Sequence, residues 1–209
     1  MISVHQIDGI LRSYGFAAPV GLAEKIRVYI ELLVTWNRTI SLTTVTDPLE
    51  IAKFHFGESL FAVSQVEMQK SRLADVGTGA GFPGLPLAMA IPSLQVTLIE
   101  SNQKKCAFLA EVLRKLEIGN ATVYHGRMES FPADAENFDF ITARALGHFA
   151  ELLKWAKSRL EPSGKLVLWL GAEDAADLSH RPSWQWRPAI KIPEASRRVL
   201  LIGGSLVGC

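Results

Sequence analysis

Residues 73 to 84 of this chain read LADVGTGAGFPG, and this stretch decides the class of fold. Leu73 to Val76 form a short apolar run of the kind that makes a buried strand, and four glycines follow within eight residues. Leu85 to Met89 then begin a helix. Because glycine has no Cβ atom, such a loop lets a ligand approach the backbone closely. A strand, a glycine-rich turn and a helix in this order are typical of nucleotide-binding α/β folds.

The chain after residue 72 continues this alternation of short apolar runs and amphipathic stretches. The pattern indicates βαβ units around a doubly wound, mostly parallel sheet. Pro162 to Gly164 favour a turn between the last helix and the next strand. Trp184 to Ile192 and Arg198 to Ile202 are expected to form a closing antiparallel pair. The predicted strands are Leu73 to Val76, Val96 to Ile99, Thr122 to Tyr124, Phe138 to Thr142 and Leu166 to Leu170, and the predicted helices are Gln103 to Leu116 and about His148 to Leu160.

The N-terminal third has helical periodicity instead. Val4 to Tyr14 and Leu22 to Trp36 place apolar residues at the spacing of amphipathic helices. We therefore expect an N-terminal helical cap, residues 1–60, packed as one unit on an α/β domain, residues 61–209.

Length and composition are those of one globular chain of 209 residues, 48% hydrophobic and 21% charged. A formal net charge of only +1 means that any contact with nucleic acid must come from a local basic patch. The first residues lack the apolar region of a signal peptide, and no later run is long enough to span a bilayer. Cys106 and Cys209 indicate neither a disulfide framework nor a metal site. We expect a cytoplasmic protein that uses no metal and does not associate with membranes.

The glycine loop can be assigned to one of three roles. Gly79 to Gly84 fit the pattern of a dinucleotide site, but the Asp75 carboxylate next to the loop would repel a pyrophosphate. S-adenosylmethionine carries a sulfonium and an ammonium group, so Asp75 can hold its amino group directly or through water. We predict that S-adenosylmethionine contacts Asp75, Gly77 and Gly79. A dinucleotide site and a purely structural glycine turn are the alternatives.

Acidic and thioether side chains follow the second and third predicted strands. Glu100 ends the second strand, where an acid can accept hydrogen bonds from both ribose hydroxyls. After the third strand, Met128 can cover the adenine ring and Glu129 can accept from its amino group. The simpler alternative for both acids is a solvated surface carboxylate.

Two further residues belong to the same predicted edge of the sheet. Phe82, within the loop, is expected to border the ribose or the methionine, unless it only packs against Leu85. Arg144 follows the fourth strand, and an arginine close to a cationic sulfonium needs an anion to hold. That anion is the cofactor carboxylate, an RNA phosphate or a protein carboxylate such as Asp75.

Several of these residues together resemble one known family, the bacterial 16S ribosomal RNA guanine-N7 methyltransferases (RsmG, or glucose-inhibited division protein B). The resemblance runs from about Trp36 to Gly171 and implies a class I methyltransferase-type fold. The residues that carry it are Trp36-Asn37, Leu42-Thr43, Lys53 to Leu60, Asp75 to Leu87, Glu100-Ser101, Arg127-Met128-Glu129 and Ala143-Arg144-Ala145.

The resemblance implies cofactor contacts at Gly77, Phe82, Met128, Glu129 and Arg144, which agree with the residues chosen above. The chain departs from the family in two places. The His-x-x-Asp-Ser pattern of the family is here His55-Phe56-Gly57-Glu58-Ser59, which keeps the charge, and a lysine often found before Gly171 is Leu170.

The resemblance also implies a reaction and a partner. The reaction is methylation of the N7 atom of guanine-527 in 16S ribosomal RNA, as free RNA or within the small ribosomal subunit. Guanine N7 has a lone pair and no proton to lose, so we predict no catalytic acid or base. The first candidates for binding RNA are Asn37, Arg38, Lys53 and His55, although isolated basic residues are more often simply solvated. We expect the protein to act as a monomer.

Three other functions are compatible with the residues. A methyltransferase for a small molecule or a protein would share the cofactor site, because fold and cofactor do not fix the acceptor. A nicotinamide-dependent oxidoreductase is disfavoured by Asp75. An RNA-binding protein without catalytic activity would bind RNA and transfer no methyl group.

Overall fold

A computed structural model describes residues 2–144, 147, 149–195 and 197–206, and it is built around one twisted sheet. In these residues the strand order is β3-β2-β1-β4-β5-β8-β6. The short strand β7 belongs to the same sheet and also pairs with β8. The first five strands are parallel to one another, and β8 pairs antiparallel with β5, β6 and β7. The predicted mixed sheet is confirmed. The strands are β1 Arg72–Val76, β2 Gln95–Glu100, β3 Ala121–His125, β4 Phe138–Arg144, β5 Leu160–Gly171, β6 Trp184–Trp186, β7 Ile190–Lys191 and β8 Arg198–Ser205.

The carboxyl ends of the central strands meet at one edge of the sheet. Val76, the last residue of β1, pairs with Ile99 of β2 on one side and with Ala143 of β4 on the other. β1 is buried along almost its whole length, as expected for a parallel strand covered on both faces. Residues that follow these strands are therefore brought together, which is where open α/β sheets bind ligands.

Helices cover both faces of the sheet. The predicted helix after β2 is present, and the Asn102 side chain caps its first turn by accepting from the amides of Lys104 and Lys105. A short helix after β5 was not predicted. The helices of this region are α5 Gly84–Ala90, α6 Gln103–Lys115, α7 Phe149–Arg159 and α8 Ala172–Ser179.

The N-terminal segment is helical, as predicted, with α1 at Val4–Ser13 and α2 at Leu22–Trp36. A second helical run follows, from α3 (Pro48–Ile51) through a π-helical turn at 52–57 to α4 (Glu58–Phe61). Apolar side chains from this cap and from the sheet belong to one buried cluster. The domain boundary at residue 60 stays a prediction.

The predicted turn at Pro162 to Gly164 is wrong as a strand boundary. β5 begins at Leu160, directly after α7, and these residues lie within it as an irregularity where the register with β4 shifts. The expected C-terminal antiparallel pair is present in a divided form, because β6 and β7 both pair with β8. Three residues named in the sequence analysis, Ala145, His148 and Cys209, lie outside the described residues, as does Leu146.

Among the described residues, none of the helices has the length and apolar content needed to cross a membrane.

Candidate cofactor and acceptor site

The glycine loop after β1 is held in shape by the carboxylate beneath it. One Asp75 oxygen accepts from the Thr78 hydroxyl at 2.6 Å and from the Gly84 amide at 2.9 Å. The other accepts from the Thr142 hydroxyl on the neighbouring strand at 2.9 Å. Asp75 thus ties together both ends of the loop and β4.

Asp75 was predicted to contact the cofactor, and this contact stays a prediction. Its side chain is fully buried, and it lines neither of the two cavities described below. The physical reason is that its oxygens already accept three internal hydrogen bonds. Burial raises the pKa of Asp75 from 3.8 to about 6, against the opposing effect of these three donors and of Arg144.

The loop glycines differ in the space that surrounds the position of a Cβ atom. Gly79 has a φ of +59°, and a Cβ atom there would meet only the Gly77 carbonyl, at 3.8 Å. A Cβ at Gly81 would collide with the Tyr29 hydroxyl and with Leu85, and one at Gly84 would lie 2.8 Å from Asp75. Of these three positions, Gly79 has free space where a side chain would project. Gly81 and Gly84 must be glycine because neighbouring atoms occupy that space.

The first cavity, here called the strand-end cavity, has a volume of about 360 Å³ and follows the ends of β1, β2 and β3. Three predicted residues, Glu100, Met128 and Glu129, lie in its wall. Glu100 is positioned from both sides, because its two oxygens accept from the Gly79 amide at 3.0 Å and the Asn102 amide at 2.7 Å. The lining residues are Val76, Gly77, Ile99, Glu100, Ser101, Gly126, Arg127, Met128, Glu129 and Glu151.

The second cavity, here called the cap-side cavity, has a volume of about 240 Å³ and lies between the glycine loop and the N-terminal cap. Gly77 lines both cavities, so they adjoin across the loop. The predicted residues Gly79, Phe82, Arg144 and His55 are found here. The lining residues are Leu42, Thr43, His55, Gly77, Thr78, Gly79, Ala80, Phe82, Lys105 and Arg144.

Phe82 does more than pack against Leu85. Its ring stacks on His55, with centroids 4.7 Å apart, and on Tyr29, with centroids 5.5 Å apart. The Tyr29 hydroxyl donates to the Ala80 carbonyl at 2.6 Å. Helix α2 of the cap is thereby bonded to the glycine loop.

His55 is held as a neutral ring at the wall of the cap-side cavity. Its Nε2 atom lies 2.8 Å from the Thr43 hydroxyl, and its face lies on Phe82. Burial, with Arg144 and Arg198 nearby, lowers the pKa of His55 to about 3. At neutral pH this ring therefore offers an uncharged polar surface.

Arg144 belongs to a buried group of charges centred on Glu58. Its Nη2 atom lies 3.3 Å from one Glu58 oxygen, and Arg198 lies 2.6 Å from the other. The Glu58 side chain is fully buried, and only 12% of the Arg144 side chain is exposed. Among the described residues, the Arg144 Nη1 atom has no hydrogen-bond partner. The alternative pairing of Arg144 with Asp75 by a direct salt bridge is not observed in this part of the chain.

The remaining candidates for binding substrate are not all brought to the site. Asn37 has a structural role, since its side chain accepts from the amides of Leu42 and Thr43 and donates to the Thr43 carbonyl. Arg38 and Lys53 line neither cavity. Asn37 thus contributes indirectly, by fixing the loop that carries Thr43.

Sequence reasoning missed several residues of the site, among them Thr43, Lys105, Tyr29 and Arg198. Thr43 and Glu58 stood within the stretches that carry the family resemblance, which was the only signal for them. Nothing in the local pattern around Tyr29 or Arg198 indicates a contact with the loop or with Glu58.

Comparison with solved structures defines the class of fold. A structure described as a SAM dependent methyltransferase from Aquifex aeolicus superposes with a TM-score of 0.60 at 16% identity, over 77% of this chain and 99% of that one. The chain therefore has the class I methyltransferase fold.

Sequence comparison then gives the family. Residues 22–187 match the GidB family, described as rRNA small subunit methyltransferase G. A Ribosomal RNA small subunit methyltransferase G of Xanthomonas axonopodis pv. citri is 42% identical over 168 residues, covering 80% of this chain and 75% of the relative. That of Stenotrophomonas maltophilia strain R551-3 is 40% identical over 178 residues, covering 85% and 82%. The chain belongs to this family, as the resemblance predicted.

Proposed function

We propose that this protein transfers a methyl group from S-adenosylmethionine to the N7 atom of a guanine in 16S ribosomal RNA. The observation that carries the proposal is the pair of cavities that adjoin at Gly77, in a chain whose residues 22–187 match the rRNA methyltransferase G family. One cavity suits an adenosine, and the other suits the methionine part and the acceptor base.

The adenosine is assigned to the strand-end cavity. Glu100 is oriented by two backbone amides, so its remaining lone pairs are available to ribose hydroxyls. Met128 supplies a polarizable side chain for the ring and Glu129 an acceptor for the exocyclic amine. The open side of Gly79 fits a ligand that crosses the loop at this point.

The methionine part is assigned to the cap-side cavity, where the Arg144 side chain lines the wall and its positive charge suits the cofactor carboxylate. Asp75 is assigned to shaping the loop, because its oxygens are used internally. The acceptor guanine is assigned to the same cavity, with the neutral His55 ring as a polar and stacking surface.

When bound, S-adenosylmethionine supplies an electrophilic methyl group on a sulfonium. The residues of the chain contribute binding and orientation, since N7 needs no base. Positioning of two reactants can contribute roughly 7 to 11 kcal/mol to rate acceleration. A neutral His55 adds no further cation to a cavity that Lys105 and Arg144 already line.

The test is methylation of 16S ribosomal RNA from cells that lack this modification, as free RNA and as small subunits. Mass mapping should find one 7-methylguanine only when protein and S-adenosylmethionine are both present. The Gly79→Val variant is the control for contaminating activity. Methylation of another atom or of no RNA, by protein that binds S-adenosylmethionine, would refute the proposed acceptor.

A further inference from the structure

The Glu58 cluster contains one more positive charge than negative charge. Arg144 and Arg198 share one buried carboxylate, and among the described residues these two arginines are the only basic partners of Glu58. The backbone of Glu58 is also fixed, because its carbonyl accepts from the Trp169 indole at 2.7 Å. Such a cluster carries a net positive charge next to the cap-side cavity, which Arg144 lines.

The two arginines hold Glu58 in different ways. Arg198 donates twice to the Oε1 atom, from Nε at 3.0 Å and from Nη2 at 2.6 Å, and its guanidinium lies 5.5 Å from the Phe54 ring centre. Arg144 approaches Oε2 at 3.3 Å, and within the described residues Oε2 makes no hydrogen bond that meets geometric criteria. Arg198 therefore engages Glu58 through two hydrogen bonds, while within the described residues Arg144 only lies beside it as an ion pair.

From this asymmetry we infer that Arg198 is a positioning residue: it occupies Glu58 and so keeps Arg144 available for the carboxylate of the cofactor. The inference rests on the proposed role of Arg144 toward S-adenosylmethionine. Without Arg198, Arg144 is the basic partner that remains to Glu58 among the described residues. A buried carboxylate is then best stabilised by a bidentate pair with the Arg144 guanidinium. That pair would remove the donors that the ligand needs.

The experiment compares two ligands by titration calorimetry. S-adenosylmethionine carries the carboxylate, and decarboxylated S-adenosylmethionine lacks it but keeps the sulfonium and the amine. Arg198→Met should weaken S-adenosylmethionine binding roughly tenfold or more, the scale of a charged hydrogen bond, and leave the decarboxylated ligand within about twofold. The matched control is Arg72→Met, since Arg72 is similarly exposed, at 35% against 40%, and forms ion pairs away from both cavities.

A double variant separates positioning from simple structural support. In Arg198→Met combined with Glu58→Gln, the carboxylate that captures Arg144 is gone, so affinity for S-adenosylmethionine should recover toward the wild-type value. A purely structural role predicts a further loss. Arg198→Lys keeps the charge but not the two-donor geometry, and it should show a smaller, equally selective loss even if Arg198→Met does not fold.

Wild-type affinity for S-adenosylmethionine in Arg198→Met, equal losses for both ligands, or no recovery in the double variant would overturn the inference. Failure of the wild-type protein to bind either ligand would instead count against the proposed function, so the two ideas fail on different measurements.

Discussion

The two cavities at the edge of the sheet are built in different ways. The strand-end cavity takes its walls from residues that directly follow β1, β2 and β3 in the chain. The cap-side cavity combines the glycine loop with His55 from the cap and Arg144 from β4, and its charges depend on a contact between Glu58 and Arg198 across 140 residues. The first cavity is thus formed mainly by the sheet, with Glu151 of α7 added, and the second by the packing of the cap on the sheet.

This difference gives a way to test each cavity separately. Methylthioadenosine has the adenosine part of S-adenosylmethionine without the amino-acid part, so it probes the strand-end cavity alone. Changes in the shared loop should lower the affinity for both ligands. Changes in the cap-side cavity should lower the affinity for S-adenosylmethionine alone.

The largest effect is expected for Gly79→Val, which should abolish binding of both ligands in a folded protein. The added side chain projects into the open space at the junction of the cavities, and the φ of +59° at this position is unfavourable for valine. Calorimetry measures the binding, and circular dichroism measures the fold.

Gly15→Val is the matched control. Gly15 also has a left-handed φ, +74°, with open space around it, but it lies after α1 and lines neither cavity. It should bear the same kind of strain and keep both affinities. Retained affinity in folded Gly79→Val would move the ligand away from the loop.

The next effect is expected for Arg144→Ala. This variant should weaken the binding of S-adenosylmethionine by about 1.5 to 3 kcal/mol and leave the binding of methylthioadenosine unchanged. The fold should survive, because Glu58 keeps its partner Arg198. Arg159→Ala is the control for loss of a buried arginine, since Arg159 bonds to the carbonyls of Pro132 and Ala133 instead. Equal weakening of both ligands by Arg144→Ala would assign Arg144 to the shape of the loop.

The same contrast explains what could be predicted from the sequence. The sequence places Glu100, Met128 and Arg144 at this edge because each stands at or just after the end of a strand, and parallel strands bring their carboxyl ends to one edge. Asp75 also stands near a strand end, yet its side chain turns inward to Thr142, and no local pattern distinguishes the two directions. The direction of the Asp75 side chain was therefore beyond the sequence pattern, and its contact with the cofactor stays a prediction.

Contacts between distant segments were beyond the reach of local patterns. The bond from Tyr29 to Ala80 spans 51 positions and joins a helix of the cap to the loop. The helical periodicity of the sequence indicates only that Tyr29 lies on the buried face of its helix. Likewise β5 begins before its proline and glycine, because Leu160 already pairs with Phe138, and residues 161–164 then form the register shift before Lys165 pairs with Phe140.

A smaller effect is expected for Tyr29→Phe, which removes the bond between cap and loop. The buried Ala80 carbonyl loses its partner, so the free energy of unfolding should fall by about 1 to 3 kcal/mol. Tyr14→Phe is the control, since Tyr14 is equally buried and its hydroxyl has no partner among the described residues. Denaturant unfolding of the two variants should differ clearly, and equal stabilities would mean that the Tyr29 hydroxyl contributes nothing.

The last effect concerns pH and the loop that both cavities share. Burial raises the pKa of Asp75 from 3.8 to about 6. Between about pH 4 and pH 6, the Asp75 carboxyl is therefore protonated to a larger extent in the folded protein than in the unfolded chain. The contribution of Asp75 to the free energy of unfolding should therefore decrease as pH rises from about 4 to about 6, and stay constant above that. A carbon NMR titration of the Asp75 carboxyl measures the midpoint, and Asp75→Asn identifies the signal.

Ligand binding should respond to the same proton with the opposite sign. The ionised carboxylate accepts from Thr78, Thr142 and Gly84, whereas a protonated one loses an acceptor position, and the Gly84 amide cannot turn away as the hydroxyls can. The loop is then less well fixed, so affinity should fall between pH 7 and pH 5. If binding required the ionised form, the fall would be about tenfold, which is the upper limit for one group with a pKa near 6. Since the loop borders both cavities, methylthioadenosine and S-adenosylmethionine should weaken alike; a fall for S-adenosylmethionine alone would trace the pH dependence to the cap-side cavity and not to Asp75.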